Sequence, residues 1–343
     1  MDRRAFLKSS AAVSATAAFP GGLSLAWAGT ESGKWRQFEV TTRVEVLKPS
    51  AVTRVWLPTP LTGETAYQKA LGNTWSADGG SASFATDPKY GAGIVSAQWP
   101  EGQKPVMTLV SRFATRDIAV ELAGPGHAAP EDPALLKKYL AATELIPTDG
   151  IVRDTAAKIV KDAPTDVGKA RSIYEWIVDN THRDPKTRGC GLGDIRFMLE
   201  TNNLGGKCAD LNALFVGLCR ASGVPARDVY GIRVAKSELG YKSLGAGTEN
   251  ITKAQHCRAE FYAAGHGWVP ADPADVRKVI LEEAGGKQPD DPMVLAARKR
   301  LFGSWEMNWL AYNFAHDLLL PGATRGPVAF FMYPQCETAE GRL

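Results

Sequence analysis

Gly205-Gly206-Lys207-Cys208-Ala209-Asp210-Leu211-Asn212-Ala213-Leu214-Phe215-Val216-Gly217-Leu218-Cys219-Arg220 is the stretch around which the chain is organised. Leu211, Leu214, Phe215, Leu218 and Ser222 recur at spacings of three and four, which predicts one apolar face of an amphipathic helix. Ser222-Gly223-Val224-Pro225 ends it, with glycine past the last turn and proline beyond. Cys208 therefore falls in the first turn. Unpaired backbone N–H groups and the positive end of the helix dipole favour a thiolate there, so Cys208 is a candidate nucleophile. The competing reading is a small buried apolar residue, and the flanking sequence must decide between the two.

Downstream, residues 228–234 read as a strand, and 235–252 as a long polar, glycine-containing loop beside the site, a class of loop that is often functional. Residues 255–262 alternate. His256, Arg258, Glu260 and Tyr262 share one face, and Cys257, Ala259 and Phe261 take the other, toward the core. A five-residue turn over 263–267 pairs Tyr262 with Trp268 and sets Asp272 opposite Arg258. His256 is then a same-face diagonal neighbour of Asp272. A slip of one residue would separate them onto opposite faces. A carboxylate beside an imidazole fixes its tautomer and stabilises the imidazolium. With the start of the Cys208 helix packed on this face, nucleophile, base and orienting acid come together. Residues 281–300 read as helix with a polar break at 285–292.

Upstream, 151–160 and 167–180 read as helices, the second opened by the capping chemistry of Thr165. From 35 to about 122 the pattern has period two with Gly and Pro clusters between segments, which predicts a small β-sandwich or sheet domain. Tyr67, Gln68, Trp75 and Trp99 read as core residues there, with a binding surface as the alternative. Residues 124–133 break the composition. The expected organisation is a signal peptide at 1–28, a β-rich domain at 29–123, a linker at 124–148 and a catalytic domain at 149–343.

The opening Asp2-Arg3-Arg4-Ala5-Phe6-Leu7-Lys8 resembles the twin-arginine export signal, and Ala26-Trp27-Ala28 is a small-x-small cleavage pattern. A periplasmic or secreted protein follows as the expectation. No second apolar run has spanning length, so no stable membrane span is expected after signal removal. The 343 residues are 44% hydrophobic with a net charge of +3, an ordinary globular composition, and no aromatic-interleaved basic run points to nucleic acid. Five cysteines are an odd number for an exported chain. Cys208 and Cys219 lie about 16 Å apart along one helix and cannot bridge; Cys190 and Cys336 are the pair open to a disulfide. Neither zinc-type ligand spacing nor an EF-hand loop is present, and no metal or other cofactor is expected. His182 and His266 read as solvated, and His316-Asp317 as a weak dyad.

Gly-Gly-Lys-Cys208 with the following Leu-Phe-x-x-Leu-Cys-Arg-Ala-Ser-Gly-Val-Pro-Ala-Arg resembles the nucleophile region of the bacterial transglutaminase-like superfamily. The segment His256…Glu260…Gly267-Trp268-Val269…Asp272-Pro273 resembles its second and third motifs, in the same order, and the likeness covers 149–280 best. The resemblance implies an α+β fold with a papain-like core, in which a cysteine-bearing helix packs on an antiparallel sheet carrying His and Asp. It implies that Cys208 attacks a carboxamide carbonyl, that His256 relays the proton and that Asp272 orients His256. The Cys208 N–H is a natural oxyanion donor. For the second donor, Trp176, Asn180 and Asn203 are candidates. One departure is Arg258, where the superfamily commonly has an aromatic residue; a guanidinium there suits a substrate carboxylate, and a structural salt bridge is the alternative.

The expected activity is hydrolysis of peptide, isopeptide or amide bonds through a thioester, on a peptide or protein substrate of the periplasm or cell wall. Transfer to an amine, as in a cross-linking transglutaminase, and a non-catalytic binding module on the same fold are the alternatives. Metal binding through Cys208, His256 and Asp272 is a more remote one.

Overall fold

The computed structural model describes residues 34–342, so the expected export signal and cleavage site lie outside the described residues. At its centre is the Cys208–Ala221 helix. Every residue from Cys208 to Arg220 is buried, not one face alone as the periodicity predicts. The helix is enclosed on all sides, which explains the difference. One side packs on a four-stranded antiparallel sheet in the order 267–271, 255–263, 226–233, 309–313. The other sides meet the helices Gly150–Ile159, Asp166–Asn180, Ile195–Glu200 and Pro273–Glu282. Its buried polar side chains are satisfied: Arg220 donates from Nε to the Ala226 carbonyl (2.8 Å) and from a terminal nitrogen to that of Ala141 (3.1 Å).

The hairpin forms in the predicted register, with Tyr262 opposite Trp268 and Ala263 opposite Gly267. Both faces of the Gln255–Ala263 strand are buried, because helix covers one face and Trp305, Met307 and Trp309 lie against Arg258 on the other. Pro273–Glu282 is a helix from its first residue, eight positions before the predicted start. Asp272 is its N-cap and Pro273 its first residue, a start signal that the run of aspartates and proline carries.

The N-terminal half forms two facing sheets. One has three strands (36–45, 106–115, 68–77); the other has five, ordered 341–342, 335–338, 53–58, 93–99, 81–86. Val55, Leu57, Val95, Ala97 and Trp99 pack against Met107 and Leu109 between them, a sandwich core. The strand Gln335–Thr338 returns from the far end of the chain to pair with Thr53–Pro58. Residues 335–342 therefore belong to the N-terminal sheet, which corrects the expected boundary of 149–343. Residues 124–148 are likewise packed rather than a spacer: Tyr139 and Ile146 are buried, and Glu131 accepts from the Trp268 indole at 2.9 Å. Gln68 clamps the two halves together. Its amide donates to the Ala311 carbonyl (2.7 Å) and accepts from the Ala311 N–H (2.8 Å), as a neighbouring strand would. Trp75 is 38% exposed and is not a core residue, unlike Tyr67 and Trp99.

Candidate active site

The start of the central helix is held by Asp210. Its Oδ2 accepts from the Lys207 N–H (2.9 Å), and its Oδ1 from the N–H groups of Leu192 (2.9 Å) and Gly193 (3.0 Å). A Cβ at Gly191 would lie 1.9 Å from this carboxylate and one at Gly206 2.5 Å, so both positions exclude a side chain; Gly191 also has φ of +100°. The close approach brings the preceding loop onto the nucleophile. Ala209 N–H donates to the Cys190 carbonyl at 2.8 Å, which seats Cys190 against Cys208. Cys208 is 4% exposed, at the base of a cleft.

His256 lies three positions beyond the paired part of the hairpin, and Asp272 one position beyond it on the other strand. The diagonal contact read from the register is present: His256 Nε2 lies 2.7 Å from Asp272 Oδ2. The other oxygen of Asp272 accepts from Asn212 Nδ2 (3.1 Å) and from the Asp275 N–H (3.1 Å), so helix capping and imidazole orientation share one carboxylate. A second carboxylate joins it that the motifs do not include. Asp275 Oδ2 is 3.3 Å from the same nitrogen, and its Oδ1 is held by Arg233 at 2.6 Å. The signal is available in Asp272-Pro273-Ala274-Asp275, since an acid at the third helical position lies beside the cap. The strand's own backbone is fixed by the Trp309 indole, which donates to the His256 carbonyl at 2.9 Å.

These neighbours set the protonation states. Hydrogen bonds with Cys190 and Cys257 hold the Cys208 thiol well below the usual thiol range; burial opposes this, and the hydrogen bond and charge of His256 add to it. Burial and Arg233 push His256 down, but Asp275, Asp272 and the Asp272 hydrogen bond outweigh them and raise it to about 9. Contact with Cys208 and burial raise Cys190, and burial and Cys208 raise Cys257, so both remain thiols that can donate. These directions favour a thiolate on Cys208 beside an imidazolium on His256. Burial and Asp275 push the Asp272 carboxyl up, and His256 and Arg258 oppose them; with Asp272 ionised, Cys208, Asp272 and Asp275 balance His256, Arg233 and Arg258. Such compensation is what a charge cluster without water requires. The His256, Asp272 and Asp275 ligand atoms lie within 4.8 Å of one another, as a metal site would need. A divalent cation there would meet two buried guanidinium groups.

Arg258 completes this balance and does not reach the cleft. It is 3% exposed, its Nε is 3.8 Å from Asp272 Oδ2, it donates to the Glu306 carbonyl at 3.0 Å, and its guanidinium lies over Trp309 and Trp305 at 4.8 and 5.3 Å. The expected substrate contact of Arg258 is thus corrected to a buried position behind His256 and Asp272. Trp176 is half-buried against the core and Asn203 is exposed; neither lines the cleft, and Asn180 caps its own helix through the Trp176 carbonyl. Cys257 is buried in the main core, as the alternation predicts, in the same cluster as Cys208. Cys190 and Cys336 are both free, Cys190 beside Cys208 and Cys336 in the sandwich core, so the expected disulfide does not form. His316 pairs with Asp228 at 3.2 Å rather than acting with Asp317, outside the cleft.

The cleft above Cys208 has a volume of about 650 Å³. One wall is the long loop, through Gly245, Gly247, Asn250 and Lys253. That loop is ordered by a 3-10 turn at Lys242–Leu244, whose Leu244 carbonyl accepts from Arg233 at 2.6 Å. Tyr333 also lines the cleft. Its hydroxyl accepts from the Cys190 N–H at 2.9 Å, which leaves its own proton to donate.

Residues 153–273, which include Cys208, His256 and Asp272, match the model of the transglutaminase-like superfamily. The chain is 37% identical over 318 residues to an uncharacterised protein of Haemophilus influenzae, covering 88% of this chain and 85% of that one. It belongs to the transglutaminase-like superfamily. Among solved structures, a protein of Cytophaga hutchinsonii provisionally named a cysteine protease superposes with a TM-score of 0.55 at 17% identity, over 87% of this chain and 98% of the other. The periplasmic domain of TgpA from Pseudomonas aeruginosa gives a TM-score of 0.34 at 14% identity, over 66% and 90%. The α+β transglutaminase-like core expected from the motifs is thus the observed fold. Among the described residues, no helix is long and apolar enough to cross a membrane.

Proposed function

We propose that this protein is a cysteine-dependent amide hydrolase acting through a thioester on Cys208. The observation that carries the reading is His256, held by Asp272 at 2.7 Å, on the lining of the same cleft as Cys208, the first residue of a buried helix. Nε2 is taken by the carboxylates, which leaves Nδ1 for the sulfur. The Cys208 thiolate attacks the carbonyl carbon of a bound amide, and the oxyanion forms near the N-terminal N–H groups of the helix. The imidazolium gives its proton to the departing amine, the C–N bond breaks and a thioester remains. Neutral His256 then takes a proton from water as the water oxygen attacks. Collapse of that second intermediate releases the acid and restores the thiolate, with the proton back on His256.

Hydrolysis is preferred over transfer to a protein amine because of the charge of the cleft. Arg183, Lys207, Lys253 and Lys278 line it, and among the described residues no Asp or Glu does. A lysine ammonium approaching as acceptor meets like charge, whereas water does not. The substrate is a peptide or protein amide, and the twin-arginine-like opening supports a reaction in the periplasm or outside the cell.

The test is a time course with a peptide amide and a fluorescent primary amine, beside a Cys208→Ala control. Free acid and an acyl adduct on Cys208, both absent from the control, are the expected result. Amine incorporation in place of free acid would identify an acyltransferase. No turnover and no adduct across amide donors would sink the enzyme reading.

A further inference from the structure

We propose that the acyl donor of this enzyme is anionic, an acidic peptide or amide whose carboxylates are received by Lys207, Lys253 and the Arg183–Lys278 pair, which line the cleft with Cys208. The inference rests on the thioester reading of the same cleft and names its substrate class.

Five cations line the cleft among the described residues: Arg183, Lys207, Arg233, Lys253 and Lys278. Arg233 is already committed, to Asp275 at 2.6 Å and to the Leu244 carbonyl. Arg183 and Lys278 share a single carboxylate, Glu282, which Lys278 meets at 3.6 Å. Lys207 donates to a neutral acceptor, the Thr187 carbonyl, at 2.7 Å. Lys253 is exposed on the long loop and makes no salt bridge with any described residue. The lining thus carries positive charge well beyond what its neighbours neutralise. Such an excess is not a general property of the molecule, because 40 basic residues face 37 acidic ones over the whole chain.

The four cations other than Arg233 come from separate segments, around residues 183, 207, 253 and 278, and converge only in the folded protein. Clustering them has an unfavourable self-energy that an anion in the cleft removes. Burial, and then the nearby Arg233, lower the affinity of Lys278 for a proton, and Asp275 and Glu282 oppose them. Low-dielectric walls focus the field of such a cluster into the cleft, so the approach of an anion is accelerated and its bound state favoured. Asn250, Thr252 and Gln255 on the same lining add neutral polar groups, which suit the rest of a peptide backbone.

Two alkylating reagents of similar size, one anionic and one neutral, test this with no substrate in hand. Cys208 is modified with iodoacetate or with iodoacetamide, and modification is followed by peptide mass, against a free peptide thiol in the same buffer. The expected result is an iodoacetate-to-iodoacetamide rate ratio about tenfold above that of the free thiol, falling at high salt. Lys253→Glu should cut the ratio by at least about threefold. Lys299→Glu, the same charge change on an exposed helix away from the cleft, should leave the ratio as in the wild type. If iodoacetamide reacts rapidly but the ratio equals that of the free thiol and ignores Lys253→Glu, the anionic class is wrong and the nucleophile stands. If Cys208 reacts with neither reagent faster than the free thiol does, the thioester reading fails and this inference with it. An equal fall in Lys253→Glu and Lys299→Glu would assign the effect to overall charge and overturn the cleft.

Discussion

Asp275 stands 3.3 Å from the imidazole nitrogen that Asp272 holds at 2.7 Å, so His256 is served by two carboxylates. They are not equivalent. Asp272 bonds the imidazole most closely, whereas Asp275 is tied to Arg233 and acts mainly by charge. Asp272→Asn should therefore lower kcat by about 10³- to 10⁴-fold, through the wrong tautomer and a less stable imidazolium. Asp275→Asn should cost less in kcat near neutrality but move the basic limb of the pH profile downward. The pH dependence of kcat/KM for both variants checks this; an unmoved basic limb in Asp275→Asn would contradict the charge role.

The pH window follows from the two shifts. The active ion pair needs Cys208 deprotonated and His256 protonated. Cys208 is held well below the usual thiol range and His256 is raised to about 9. Activity should thus fall as pH rises through about 9, and on the acid side only below the ordinary thiol range. Stability has the same upper edge. A histidine raised on folding contributes stability that is fully present below its unfolded value of about 6.5 and is lost as pH rises through about 9. Alkylation by iodoacetamide at varied pH, with thermal melts alongside, measures both edges.

Arg258 separates a structural role from a substrate contact. It is one of the three buried cations that balance Cys208, Asp272 and Asp275. Arg258→Ala leaves that negative charge uncompensated and should destabilise the fold by about 3–5 kcal/mol. What activity survives should show a lowered kcat, with KM for acidic and neutral donors changed alike. Denaturant melts and paired kinetics distinguish this from a binding role, in which KM for acidic donors alone would rise.

Tyr333 lines the cleft with a hydroxyl whose oxygen accepts from the Cys190 N–H, so its own proton is available to donate. Placed there, it suits the second oxyanion donor that Trp176, Asn180 and Asn203 do not supply. Tyr333→Phe should reduce kcat by about 10²-fold with little change in KM. Fast acylation-phase kinetics on an ester and on an amide would show the loss in both, since both pass through an oxyanion. A loss confined to KM would assign Tyr333 to binding instead.

The hairpin and the strand that carries His256 show where local reading stops. Tyr262 opposite Trp268 is encoded by the length of one turn, and the His256–Asp272 contact follows from it across 16 positions of chain. Asp275 is equally local but hidden, because Asp272-Pro273 reads as the end of a strand as readily as the start of a helix. Alternation puts Arg258 on the face of His256 and so toward the cleft. Yet alternation sorts residues onto faces without saying which face is open, and both faces of this strand are covered.

The sequence by itself determined the Cys208 helix, its stop at Gly223, the hairpin carrying His256 and Asp272, and the superfamily to which those motifs belong. Each is set by interactions over a turn or two of helix or across one hairpin, where spacing and side-chain type are sufficient. Only the tertiary structure decided that the helix is buried on every side, that Cys190 and Tyr333 flank the nucleophile, that residues 335–338 close the N-terminal sheet, and that four cations from distant segments face one cleft. Those contacts join elements tens to hundreds of residues apart. Their partners are chosen by packing and charge compensation across the whole core, which no local period records.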